Sequence, residues 1–185
     1  VQGWLILIYK IPVEPTRYRA SIWRTLKAAG AIYLQNGVAA LPADAPCERV
    51  MRGLVHAIVE MRGTAYLIQG VVLGEESVLL AAFTAARDVE YGEVLGRCRD
   101  FHAELAKERA AGNFTFAELE ENEDDLTKLE AWLGKIRARD PFGASLRGEA
   151  EQALAACRAD VEEFAASVYH AADHGSAAPS ERSGE

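Results

Sequence analysis

Cysteine is scarce in this chain. Cys47, Cys98 and Cys157 are spread over 185 residues, and no C-x-x-C occurs. That excludes a disulfide framework or a zinc ribbon, and leaves buried thiols in a cytoplasmic protein as the plain reading. Long apolar runs are missing too. No stretch approaches the roughly 20 residues that span a bilayer, so no membrane partner is expected. The opening VQGWLILIYK is too short for a signal peptide and lacks its basic flank. It starts on Val1 rather than methionine, which predicts that some residues precede it. No G-x-G-x-x-G, P-loop, G-x-S-x-G or H-E-x-x-H is present. No catalytic residue and no cofactor is therefore assigned, and the chain reads as a non-enzyme.

Metal-binding patterns are equally thin. His56 and His102 stand alone in helical segments and read as packed or surface imidazoles. His170 and His174 have the i, i+4 spacing that can share a metal, but they lie where the last helix frays. The run ELEENEDD (118–125) holds six acids in eight residues. It falls in the first turns of a helix, where negative charge is favoured, and reads as a solvated face. Consecutive helix positions diverge, so these carboxylates would not converge on one cation. No metal is expected.

Half of the chain is hydrophobic, enough for one sizeable core or a domain with an appended bundle. Its net charge is −8, unevenly placed. Residues 1–63 carry 8 Lys/Arg and 4 Asp/Glu, hence +4; residues 64–185 carry 12 and 24, hence −12. Any polyanion would meet the first third.

Trp4 to Tyr9 is almost wholly apolar and reads as a central strand buried on both faces. Prolines 12 and 15 end it. Thr16 is a candidate N-cap for a helix over 17–29, stopped by Gly30. Tyr18, Ile22, Trp23 and Leu26 form its apolar stripe. Two short strands then flank Asn36-Gly37, a strong hairpin signal. A helix over about 46–62, with Val50, Leu54, Ile58 and Met61 inward, precedes a strand over 64–73. The order β-α-β-β-α-β is a split βαβ, the ferredoxin-like arrangement. Three helices follow, over about 75–111, 115–138 and 146–171, each with one seam at heptad spacing. Thr115 and Glu118 form a capping box on the second. The expected fold is α+β: a ferredoxin-like domain over 1–73, a three-helix antiparallel bundle over 74–172, and a disordered tail over 173–185.

The distinctive feature is cationic. Lys10, Arg17, Arg19, Arg24 and Lys27 surround the end of the first strand and the first helix. Guanidinium forks match phosphate and other oxyanions, and a helix N-terminus adds free N–H groups. The bland alternative is an ordinary solvated helix face. Tyr9, Gln35 and Gln69 are weighed beside them: two glutamines interrupt apolar strands, as edge amides or as the lining of a cavity or dimer seam.

ILIYKIPVEPTRYRASIWRTLKAAGAIYLQNGVAALP resembles the opening of the ferredoxin-like CRISPR adaptation nucleases. There the first strand ends in a metal-binding Tyr-Asp pair. Here the place reads Tyr9-Lys10, and a lysine repels Mg²⁺. PaaX-type repressors are similar as well. The longest resemblance, over residues 4–172, is to the N-terminal region of the chromate-resistance regulator ChrB. YKIPVEPTRYRASIWR, GAIYLQNGVAALP, ARDVEYGEVL, GNFTFAELEENEDDLTKLEAWLGKIRARDPFGA and Tyr169 carry it. This resemblance implies a chromate-responsive transcriptional repressor whose N-terminal region binds DNA. It also implies a second domain after this region, so the chain is read as a stand-alone N-terminal protein or a truncated one, with a separate C-terminal-domain partner an open option. DNA is the expected partner, bound by a homodimer to match a two-fold operator. Chromate is a second candidate ligand, enclosed by Lys10, the 16–19 helix start and Arg49 or Arg52. A small-oxyanion binder and a non-catalytic interaction module are the alternatives.

Overall fold

A computed structural model describes residues 3–175. It is α+β, with strands β1 (Trp4–Lys10), β2 (Ile32–Gln35), β3 (Val38–Pro42) and β4 (Thr64–Gly70). The helices are α1 (Thr16–Ala29), α2 (Ala45–Glu60), α3 (Glu76–Ala111), α4 (Phe116–Ala138) and α5 (Arg147–Gly175). The chain divides into two compact units, 1–86 and 87–185.

In the first unit the sheet order is β2-β3-β1-β4. Every neighbouring pair is antiparallel, as a split βαβ requires. Register decides which residues share a face, because side chains alternate. Leu5 and Leu7 lie opposite Leu41 and Ala39. They share a buried core with Ile22 and Leu26 of α1 and Met51, Leu54 and Ile58 of α2. Trp4 points to the other face, where the first turns of α3 meet it. The Trp4 and Phe83 rings are 5.3 Å apart, and Trp4 Nε1 donates to Glu76 Oε1 at 2.9 Å.

The expectation that β1 is buried on both faces holds only at this end. Ile8 is exposed, as are Tyr66 and Ile68, which register places on the same face. Among the described residues β4 is an outer strand paired to β1 alone, and no charged residue lies between Arg62 and Glu75. It also stops at Gly70; Val71 to Leu73, expected as strand, are exposed outside it.

The helix caps show two further differences. Pro15, not Thr16, is the N-cap of α1, and no side chain caps that end. Asp44 caps α2, accepting from Cys47 N at 2.7 Å. Thr115 caps α4 through Glu118 N at 3.2 Å, but the Glu118 carboxylate takes Asn113 Nδ2 at 2.8 Å instead of closing the box.

In the second unit the heptad seams become one core. Tyr91, Val94, Cys98 and Leu105 of α3 pack with Leu126, Leu133 and Ile136 of α4 and Leu154, Cys157 and Phe164 of α5. Helices consecutive in the chain run antiparallel. Asn122 near the start of α4 reaches Glu108 near the end of α3 at 2.9 Å, and Phe114 before α4 packs on Phe164 late in α5. The break between α4 and α5 is organised by buried Asp140. It accepts from Tyr91 Oη at 3.0 Å and from the Gly143 and Ala144 amides at 3.1 Å. α5 continues to Gly175, so residues 173–175, expected in a disordered tail, are helical; the rest of that expected tail, residues 176–185, lies outside the described residues.

Candidate functional site

The far end of β1 opens into a cleft of about 710 Å³. Three local elements build it. β1 brings Tyr9, Lys10 and then Ile11; α1 brings Arg19 and Trp23; the β2–β3 hairpin brings Tyr33, Asn36 and Gly37. The hairpin must lie there, since antiparallel pairing sets Val38 opposite Ile8. Gly37 seals the junction. Its φ is +74°, and its carbonyl accepts from Tyr9 N at 2.7 Å. A Cβ on Gly37 would meet the Tyr9 carbonyl oxygen at 2.5 Å. A register shift between Tyr33 and Gln35 places Leu34 as an extra residue in β2.

Two tyrosines meet in the cleft, with Tyr9 Oη and Tyr33 Oη 3.2 Å apart. Burial, then the neighbouring Tyr9 hydroxyl, pushes the Tyr33 phenol above its usual range, so it stays neutral and able to donate. Trp23, expected in the apolar stripe of α1, is instead 49 % exposed and forms a wall. Among the described residues no acidic side chain lines the cleft.

The five candidate cations are all exposed. Among the described residues none of them forms an ion pair with a carboxylate. The structure brings Lys10 and Arg19 together on the cleft. Lys27 extends this stripe along α1, its Nζ 5.2 Å from the centroid of the Trp23 ring. At 3.6 residues per turn, Arg17 and Arg24 share a different stripe, further round the helix. Arg17 lies over Tyr18 at 5.6 Å. The single cluster expected from sequence is thus two adjoining rows.

Arg52, a candidate for an oxyanion enclosure, is bound instead to Glu48 at 2.6–2.8 Å. Arg49 and Arg52 are not among the cleft's walls. Gln35 and Gln69 are exposed and also outside the cleft. The residues that sequence reasoning passed over are Tyr33, Asn36 and Gly37. The Asn-Gly turn was the available signal, since its hairpin has to fold back beside the strand that ends in Lys10.

The second unit offers different chemistry. An acidic groove of about 510 Å³ between α3 and α4 includes Asp100, Glu104, Glu108, Glu121 and Asp125, and would repel an anion. His102 Nδ1 bonds the Asp160 carboxylate, and its Nε2 is 3.5 Å from Cys157 Sγ. This has the order of a nucleophile, base and orienting acid. However, burial, with the adjacent Cys98, pushes the Cys157 thiol up to about 12, and a thiol is not a nucleophile until it ionises. Among the described residues no three His, Cys, Asp or Glu side chains are grouped to hold a metal, and the His174 side chain lies outside them. No helix among the described residues is long and apolar enough to cross a membrane.

Set beside known proteins, the chain matches the family described as "Protein ChrB, N-terminal" over residues 19–175. Arg19, Trp23, Arg24, Lys27, Tyr33, Asn36 and Gly37 fall inside that span; Lys10 and Arg17 precede it. No curated protein and no solved structure matches.

Proposed function

Because the chain belongs to the family of ChrB N-terminal regions, we propose that it is the DNA-binding part of a chromate-responsive transcriptional regulator of chromate resistance. In this reading it is cytoplasmic, homodimeric and non-enzymatic. One observation carries the DNA contact. Among the described residues Lys10, Arg17, Arg19, Arg24 and Lys27 have no carboxylate partner, and they lie in the first third of the chain, whose net charge is positive. Unneutralised Lys and Arg on one surface suit a phosphate backbone, and such contacts set affinity and register rather than sequence. Fluorescence anisotropy with promoter duplex tests it. The parent protein should bind at 50 mM salt, and Arg17→Ala/Arg19→Ala should bind at least tenfold more weakly. Equal binding by the double variant would sink the reading.

A second reading is a small-oxyanion site, favoured by the convergence of Lys10 and Arg19 on a cleft without acids. Chromate and sulfate are tetrahedral dianions that such a pair would attract. Calorimetry decides: heat with chromate that disappears in Lys10→Ala supports it, and no heat with either anion removes it. A separate C-terminal-domain partner would be recovered by pull-down with this chain as bait.

A further inference from the structure

We propose that the cleft at the end of β1 takes one unpaired nucleotide, its base against the aromatic walls and its phosphate on Lys10 and Arg19. This rests on the nucleic-acid reading above and deepens it. A site for inorganic oxyanions alone needs donors and positive charge. This cleft has those, and it also has three aromatic rings that an oxyanion would not use: Tyr9, Trp23 and Tyr33. Trp23 is 49 % and Tyr33 is 42 % exposed, although both are large apolar rings that burial would favour. Base stacking on such rings is the recurring device of single-strand recognition, combined with cations that follow the backbone.

The polar groups complete a nucleotide's needs. The paired Tyr9 and Tyr33 hydroxyls and the exposed Asn36 amide offer donors and acceptors for a base edge. Among the described residues Lys10 and Arg19 have no carboxylate to release first. The absence of acid from the walls fits a ligand whose charge is wholly negative. A volume of about 710 Å³ is ample for one nucleotide. Lys27 over the Trp23 ring extends the cationic path by about two helical turns from Arg19, towards the next phosphate. A double helix keeps its bases stacked, so the cleft would receive a nucleotide that is unpaired in a strand, or free in solution.

Anisotropy of a labelled six-nucleotide oligothymidine and of a duplex of promoter DNA, with competition by thymidine 5′-monophosphate and by inorganic phosphate, tests this. Parent protein should bind the single strand. Trp23→Ala should weaken that binding roughly tenfold, within the range of a lost stacking contact. Trp23→Phe should restore most of it, and both variants should leave duplex binding within about twofold. Monophosphate should compete better than inorganic phosphate. If monophosphate competes better than inorganic phosphate but more weakly than unlabelled oligothymidine, the source is a strand; if monophosphate competes as well as unlabelled oligothymidine, it is a free nucleotide. Melting curves on each variant establish that it is folded, and Tyr33→Leu provides an independent ring removal. Unchanged single-strand affinity in both Trp23→Ala and Tyr33→Leu overturns the proposal, as does inorganic phosphate competing equally with monophosphate. An equal loss on single strand and duplex overturns it too. A parent that binds single strand but no duplex would sink the regulator reading and leave this site standing.

Discussion

Gly37 is where backbone geometry and the cleft meet. Its φ of +74° is a left-handed conformation, and its missing Cβ leaves the Tyr9 carbonyl room. Gly37→Ala should therefore lower stability by about 1–3 kcal/mol in urea unfolding, from αL strain and the steric clash together. Gly70→Ala, which meets nothing within 4 Å, should stay within about 0.5 kcal/mol. Buried thiols give a second prediction at this scale. Cys157 and Cys47 are each pushed up to about 12, chiefly by burial, and Cys98 is raised as well. Each folded-state pKa lies above its unfolded value. Their contribution is thus complete below the ordinary thiol range near 9 and is lost as pH rises towards 12. Unfolding midpoints should decline above pH 9, and the decline should be shallower in Cys157→Ala.

Helices and strands were legible wherever one face is apolar and the ends carry punctuation. The seam of α5, from Ala150 through Cys157 and Phe164 to Val168, is buried as its spacing indicates. Phe164→Ala should cost about 3–5 kcal/mol, since the side chain is fully buried against Phe114. Thr115→Ala should cost about 1 kcal/mol by releasing the Glu118 amide at the start of α4. Both are read from denaturation midpoints. What pattern did not reveal has physical causes. Trp23 falls at core spacing on α1, yet it sits at the flank of the buried stripe, and periodicity does not separate the centre of a face from its margin. Among the described residues β4 ends at Gly70, although apolar residues run on to Leu73; apolar composition alone does not stop a strand on paper. The division of the five cations into two rows follows from helical phase, which a count of charges ignores.

At the scale of the molecule, charge segregation is the property that bears on function. If all five cations meet phosphates, the slope of log affinity against log salt should be about −4.5, from about 0.9 per phosphate. Between 50 and 200 mM salt, duplex affinity should then fall by roughly two to three orders of magnitude. A slope near zero would leave the basic face without a nucleic-acid role. Sequence carried the basic end and the acidic remainder plainly. It did not carry the cleft, because Lys10 and Tyr33 meet only once the hairpin has folded back on β1. The outer strand β4 has a consequence of another kind, for handling the protein. Among the described residues no strand pairs with its outer side, and Tyr66 and Ile68 are exposed on it, so this edge is open to pairing with another chain, with Arg62 and Glu75 the nearest charges in sequence. Colloidal stability at high concentration should thus depend on those two gatekeepers more than on the many acids of the helices.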